Sequence, residues 1–513
     1  WSTADEQQFR FNGEADLVVL HELTPFLAFL PENPRLAHLR ALDPSGFVRN
    51  LAFSVERGGA DAPLRYNVSA DIEALSVDPV LKAPAIAGIS GKLTANDKEG
   101  ELRLDTGRVE LSIPWMFRWT LDTNALRGAL RWHVDGEGWH IRSDDLEFAA
   151  DDGHGHARLA IRLPRDGSSP YLDISARAQD MNAASTPKYL PANLLSEEAL
   201  GWLDRAFVSG RVTRGSLELH GPTRAFPFRK GEGLFLVEGH VEGLTFDYQP
   251  GWTPATGLAG KVEFRNEGMH ASGVTARVGE LQVTEASGGF KDFAEGDLKI
   301  AVSAQGDLGA AFGFLQSSPI GEALGESFQA LRGKGALQAK VSLLLPIKHI
   351  EDRRLSVSTK LTDATVRLAD LDAPVTHLNG SFIVRQDLPV EADLTGQWLG
   401  GPVEVQITPD DRTDQNSTLV ARGRATALEL ARHAPAVVKL DGALDWTMKT
   451  RLTSRPGRKV QVFAIDSSTE GLGIDLPYPG GKAQDAARAL HVDLEYSGRQ
   501  VLTRASFGED RKS

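Results

Sequence analysis

The residues best suited to chemistry by type and spacing are Asp151-Asp152-Gly153-His154-Gly155-His156, where two carboxylates and two imidazoles fall within six positions. Carboxylate oxygen and imidazole nitrogen are ligands for zinc and similar divalent ions. This group is crowded into one glycine-rich stretch between two strand-like segments, with no distant partner to make it rigid, so a solvated hairpin turn is expected. Asp144-Asp145 and Asp410-Asp411 read as turn acids, because the paired carboxylates of a glycosidase need a separation and burial that adjacency does not provide. Asn67-Val68-Ser69 fits a glycosylation acceptor and reads as a strand edge. No phosphate-binding loop, nucleophile elbow or paired histidines of a zinc-protease helix occur. Cysteine is absent, which removes disulfides and thiolate metal sites. Neither an enzyme, a metal centre nor a cofactor is expected.

The elements that would position any functional group are strands. Apolar and polar residues alternate with a period of two, as in Val109-Glu110-Leu111-Ser112-Ile113, Leu298-Lys299-Ile300-Ala301-Val302-Ser303, Leu337-Gln338-Ala339-Lys340-Val341 and Val403-Glu404-Val405-Gln406-Ile407. Such alternation predicts antiparallel sheet with one covered and one solvated face. A weaker repeat rides on it: an aliphatic residue, any residue, glycine, then apolar residues at every second place. Its five copies begin at Ile89, Leu126, Leu258, Leu378 and Leu440, with Gly91, Gly128, Gly260, Gly380 and Gly442 on the apolar side. Each glycine predicts either a bend at the start of a strand or a close approach to the backbone by a ligand.

Three stretches break this rhythm. Leu20 to Leu42 has helical spacing split by Pro31 and Pro34, Ser196 to Val208 starts on an N-cap and stops at Gly210, and Leu308 to Leu331 divides at Pro319. Each reads as a helix capping the core or as a plug lying in a groove. The organisation expected is therefore a strand with two short helices over 1–44, a repeating β segment over 45–188, a helical insertion at 189–210, a β segment over 211–306, a helical hairpin at 307–335 and a β segment over 336–513.

At 513 residues, with 41% hydrophobic residues and 51 glycines and 26 prolines to make turns, the chain suits one extended repetitive architecture. A net charge of -13 without clustered Lys and Arg excludes a nucleic-acid partner. No apolar run approaches the ~18 residues that span a bilayer. The start at Trp1 and the polar end Glu509 to Ser513 suggest a segment of a longer protein.

Roughly 25 to 30 strands cannot remain one flat sheet, so the fold class expected is mainly β: a long, curled, antiparallel repeating β-groove with a few short covering α-helices. At ~4.8 Å per strand it would extend on the order of 100 Å. A phospholipid with about 30 chain methylenes would cost roughly 25 kcal/mol to strip into water, so a carrier must give nearly continuous apolar cover. The residues expected to line such a groove are Leu93, Leu130, Trp132, Val262, Phe264, Leu298, Ile300, Val302, Phe382, Val384, Val403, Val405, Leu444 and Trp446.

From Tyr189 the sequence carries a denser pattern: Tyr189-Leu190-Pro191, Gly201-Trp202-Leu203-Asp204-Arg205-Ala206-Phe207, Gly215-Ser216-Leu217-Glu218-Leu219-His220-Gly221, Phe226-Pro227-Phe228 and Asp247-Tyr248-Gln249-Pro250-Gly251-Trp252. It resembles the central region of the YhdP branch of the AsmA-like family, and the likeness extends over nearly the whole chain. Thr253 departs from the proline expected after Trp252. The resemblance implies a periplasmic protein held in the inner membrane by an N-terminal anchor outside this sequence, whose groove moves phospholipid towards the outer membrane. Its partners would be phospholipid acyl chains, both membranes through parts outside this segment, and further envelope proteins. Two other readings stand beside it: a scaffold or chaperone for outer-membrane protein assembly that uses open sheet edges, and a carbohydrate-acting or carbohydrate-binding β-protein using Trp115, Trp119, Trp132 and Trp139.

Overall fold

The alternating segments fold as strands. A computed structural model describes residues 8–23, 42–59, 62–79, 84–114, 117–190, 197–292, 296–319, 329–346, 349–368, 373–386, 388–410, 416–432, 438–453, 460–477, 480–497 and 500–508. These contain 28 strands in one antiparallel sheet that does not close, with 70% of residues in strand and 9% in helix. So little helix cannot cover a whole sheet face. Two compact units divide the chain. One comprises Trp1–Tyr248, Thr256–Ser272 and Phe290–Phe293, and the other Gln249–Ala255, Gly273–Gly289 and Ala294–Ser513.

The first unit is a meander in which Gln8–Val19, Ser45–Gly58, Arg65–Val77 and Ala85–Asn96 pair in chain order. Ala85–Asn96 then divides its pairing, with residues 91–95 bound to Glu99–Thr106 and residues 85–87 bound to Val109–Ser112. The ladder resumes through Ala125–Val134, Gly138–Ala150, Gly153–Pro164, Tyr171–Asn182, Phe207–Pro222 and Leu234–Phe246. In the second unit an unbroken meander runs from Asp297–Asp307 through Leu331–Pro346, Arg354–Leu368, Val375–Arg385, Glu391–Trp398, Gly401–Pro409 and Asn416–Thr426 to Lys439–Thr453.

Bulges recur on consecutive strands, and side chains of the next strand satisfy the backbone groups they free. Ala74, at φ 50°, donates its N–H to Ser90 Oγ at 3.0 Å, and Ser90 N–H reaches Thr106 Oγ1 at 2.9 Å. In the second unit Asp363, at φ 46°, donates its N–H to Asn379 Oδ1 at 3.0 Å. One carboxylate does two tasks: Asp307 Oδ2 accepts from Gly335 N–H at 2.8 Å, and its Oδ1 caps helix Leu308–Gln316 through Gly309 N–H at 2.7 Å. Bulges sharpen the right-handed twist, and unpaired buried N–H groups would otherwise be costly.

The repeat glycines answer to close strand approach. A Cβ on Gly91, Gly128, Gly380 or Gly442 would sit 2.1–2.4 Å from a carbonyl oxygen of the adjoining chain segment, those of Arg103, Asp145, Asp393 and Gly471 respectively. The neighbouring backbone occupies the space that a ligand would need at these four positions.

Two of the expected helices are present in part, as Glu197–Ala206 and Leu308–Gln316; Leu20–Leu23 is one turn, and residues 24–41 and 320–328 lie outside the described residues. In the family motif, Trp202 donates its indole N–H to Tyr248 O at 2.9 Å and packs edge-on against Phe246, Asp204 takes a bidentate bond from Arg118, and Ala206 is fully buried. Phe228 is 2% exposed and packs against Phe226, so it is core, with Phe226 and Pro227 half-buried beside it.

The Asp151 to His156 set is split among separate partners. Asp151 accepts from Asn124, His156 pairs with Asp145 at 3.0 Å, and Asp152, 8% exposed, accepts the Tyr189 hydroxyl at 2.7 Å. Lys188 Nζ lies 3.6 Å from Asp152 and donates to Asp122 at 2.7 Å. Burial pulls the Lys188 ammonium down, but the bond to Asp122 and the charge of Asp152 outweigh it and leave the group raised. The Lys188 bond holds the Asp122 carboxyl below its ordinary value. Burial, then the Asp152 bond, push the Tyr189 phenol upward.

Two outcomes are expected. Gly380→Ala forces a side chain at φ +130° into Asp393 O and should destabilise the second unit by on the order of 2 kcal/mol in urea unfolding, while Gly59→Ala, with nothing within 4 Å, should not. Asp122, depressed from 3.8, contributes fully above that pH and loses its contribution as pH falls through the lowered value; Lys188, raised from 10.5, contributes fully below that pH. Lys188→Met should therefore lower the melting temperature between these limits, and its difference from the parent should shrink as pH drops below 3.8.

Candidate functional site

A strand's side chains alternate faces, so directly paired residues on neighbouring strands form rows that share one face. In the first unit one such row crosses eleven strands: Val18, Val48, Ile72, Gly91, Leu104, Gly128, Leu146, Ala157, Ala176, Leu217 and Val237. None is polar. In the second unit the row Gly306, Leu337, Leu361, Gly380, Leu394, Val405, Ala421, Met448, Ile465, Val492 and Ala505 again crosses eleven strands without a polar residue. The next row, on the other face, reads Gln305, Gln338, Lys360, Ser381, Asp393, Gln406, Val420, Lys449, Ala464, Asp493 and Arg504, nine of the eleven polar or charged. Each unit is thus a two-faced sheet, and its apolar face is the candidate site.

Helices cover this face unevenly. Helix Leu308–Gln316 packs Leu308 and Phe312 against Leu337, Leu361, Ala364 and Leu378 at one end of the second unit's strands. Helix Ala427–Ala431 lies in a second cluster with Val403, Ala421, Ala425, Leu444, Trp446 and Leu472. Trp398 meets Trp446 edge-on at 5.1 Å. Away from the first helix, towards the other end of the strands, the row Val302, Val341, Val357 and Val384 is half-buried, ending in Val384 at 40% exposure. Beside it Ile300 pairs with Leu343 and Leu343 with Leu355, all half-buried.

The residues expected to line a groove separate into two environments. Val403, Leu444 and Trp446 are closed off in the core cluster, and Val405 packs against it. Leu298, Ile300, Val302 and Phe382 are half-buried and Val384 is exposed, all in the second unit. In the first unit Leu93, Leu102 and Leu130 pair in succession, while Trp132 lies across Gly100 in the neighbouring row. Val262 and Phe264, also half-buried, alternate with the ion-paired Lys261 and Glu263. Sequence reading passed over Val341 and Val357, although both sit in the same alternation as Val302 and Val384; only the register reveals that the four meet.

Two open pockets lie on the opposite face. One of about 1290 Å³ is bordered by Glu404, Arg422, Asp466 and His491 together with Trp446 and Phe507, and one of about 980 Å³ by Glu101, Arg131 and Arg142 together with Phe53 and Trp132. His491 Nδ1 donates to the Asp466 carboxylate at 2.7 Å, and that bond above all raises the imidazole pKa. Walls that set so many charged groups among the rings give no continuous cover to an apolar guest, so the apolar face remains the site despite the size of these hollows.

Comparison with known proteins gives a consistent answer. A family model described as YhdP protein matches residues 1–513. The intermembrane phospholipid transporter YhdP of Escherichia coli (strain K12) is 23% identical over 499 residues, covering 96% of this chain and 39% of that protein. This chain thus spans well under half the length of that relative. No solved structure matches. With every residue inside the matched model and the antiparallel sheet in place, the chain belongs to the YhdP family.

Proposed function

We propose that this segment is a length of passive conduit whose apolar face carries phospholipid acyl chains between the inner and outer membranes. The observation that carries the reading is the pair of eleven-strand rows without a polar residue, that of the second unit backed by a largely polar row. The inner strands of a sheet pair their backbone groups with both neighbours, so they can present such a surface without exposing amides to an acyl chain. Moving a lipid along it requires no covalent step, in keeping with a non-enzymatic role. The relative's name as an intermembrane phospholipid transporter supports the choice of ligand.

The lining we propose centres on Ile300, Val302, Val341, Val357, Phe382 and Val384, which the helices leave half open. Leu444 and Trp446 support it from the packed core. Among the described residues no helix is long and apolar enough to cross a membrane; attachment to the inner membrane is proposed for parts of the protein outside this segment.

A photoreactive phenylalanine analogue at Val384 or Val357 should crosslink to phospholipid that co-purifies with the protein, and the same probe at Lys360 or Ser381 on the opposite face should not. Crosslinks to protein alone would instead favour a scaffold that uses sheet edges. Val384→Asp should reduce bound phospholipid at least about 10-fold, the equivalent of about 1.4 kcal/mol, with the melting temperature nearly unchanged because the residue is 40% exposed.

A further inference from the structure

Strands Ala125–Val134 and Gly138–Ala150 form a hairpin whose turn gathers two imidazoles and a carboxylate. Register sets His133 directly opposite His140, and their rings stack 3° from parallel with centroids 4.4 Å apart. His140 Nε2 is 3.3 Å and His133 Nε2 3.9 Å from the same oxygen, Asp135 Oδ2. Within this group the ligand atoms all lie within 4.8 Å of one another.

The carboxylate is held in place by the turn. Asp135 Oδ1 accepts the backbone N–H groups of Glu137 and Gly138 at 2.9 and 3.1 Å, which leaves Oδ2 directed at the imidazoles. Register brings both rings beside Asp135 Oδ2, so the three ligand atoms can serve one divalent cation, which is bound by neutral imidazole and ionised carboxylate together. Bonds of 2.0–2.2 Å in a tetrahedron place ligand atoms about 3.4 Å apart, which small rotations of exposed side chains can reach from the separations present.

We propose that His133, Asp135 and His140 form a binding site for a late first-row divalent cation of the Zn²⁺ class, with water completing the coordination. The two nitrogen donors disfavour Mg²⁺ and Ca²⁺, which take oxygen ligands. His133 borders the pocket on the charged side of the first unit. Metal there would clamp the end of the hairpin without touching the apolar face, so the site stands or falls separately from lipid carriage.

Calorimetric titration of the metal-free 513-residue chain with Zn²⁺ tests this. One saturable ion per chain is expected, with a rise in melting temperature and no equivalent response to Mg²⁺. His133→Ala and His140→Ala should each weaken binding at least about 10-fold while leaving the metal-free melting temperature unchanged. Should either alanine variant be unstable, Asp135→Asn, which keeps an acceptor for the turn N–H groups, makes the same comparison. Absence of saturable uptake, or uptake retained when both histidines are replaced, would overturn the proposal.

Discussion

Everything about this sheet depends on register. A strand's side chains change faces at each residue, so a slip of one position would bring Gln338 or Lys360 into the row held by Leu337 and Leu361. The ladder avoids this over eleven strands in each unit. It does so although the strands are bulged, and each bulge is an opportunity to lose phase. Ser90, Thr106, Asp307 and Asn379 supply the oxygen atoms that fix where the extra residue sits. The glycines of the repeat act alongside them: with hydrogen in place of Cβ, Gly91 and Gly380 let the adjoining backbone come close enough to hold the phase.

With phase preserved, the two faces acquire different physics. The polar face is stitched by short ion pairs such as Arg131 with Glu101 and Lys261 with Glu238, exposed enough that each adds little stability. They make the wrong face costly to bury and discourage stacking of sheets. The apolar face draws its stability from a few closed clusters beneath short helices. Between the clusters it has no covering helix among the described residues.

The same logic relates the family motif to the fold. Trp202, Asp204 and Ala206 of helix Glu197–Ala206 anchor it through Tyr248, Arg118 and close packing. Lys188 and Tyr189 tie the preceding turn to Asp122 and Asp152. These residues secure the element beside the apolar face and do not themselves contribute to it. The metal-binding hairpin we propose belongs to the other face, where His133 and His140 are available because alternation turned them away from Trp132 and Ile141.

The sequence alone determined the antiparallel, mainly β character, the apolar and polar sides of each strand and the membership of the family, because alternation and motif spacing are local properties. Helix Glu197–Ala206 was legible for the same reason. Contacts between strands were not legible, since hairpin lengths and bulges set them and a single displaced residue inverts the result. Thus Val384 and Trp446 carry equivalent sequence signals, yet one is open and the other enclosed by Trp398 and helix Ala427–Ala431. Likewise Asp151 to His156, read from the sequence as a turn and not as a ligand set, takes separate partners. His133, Asp135 and His140 became one only when a hairpin closed with His133 opposite His140. Tertiary structure decided these matters because proximity across a sheet is a property of the ladder and not of the strand.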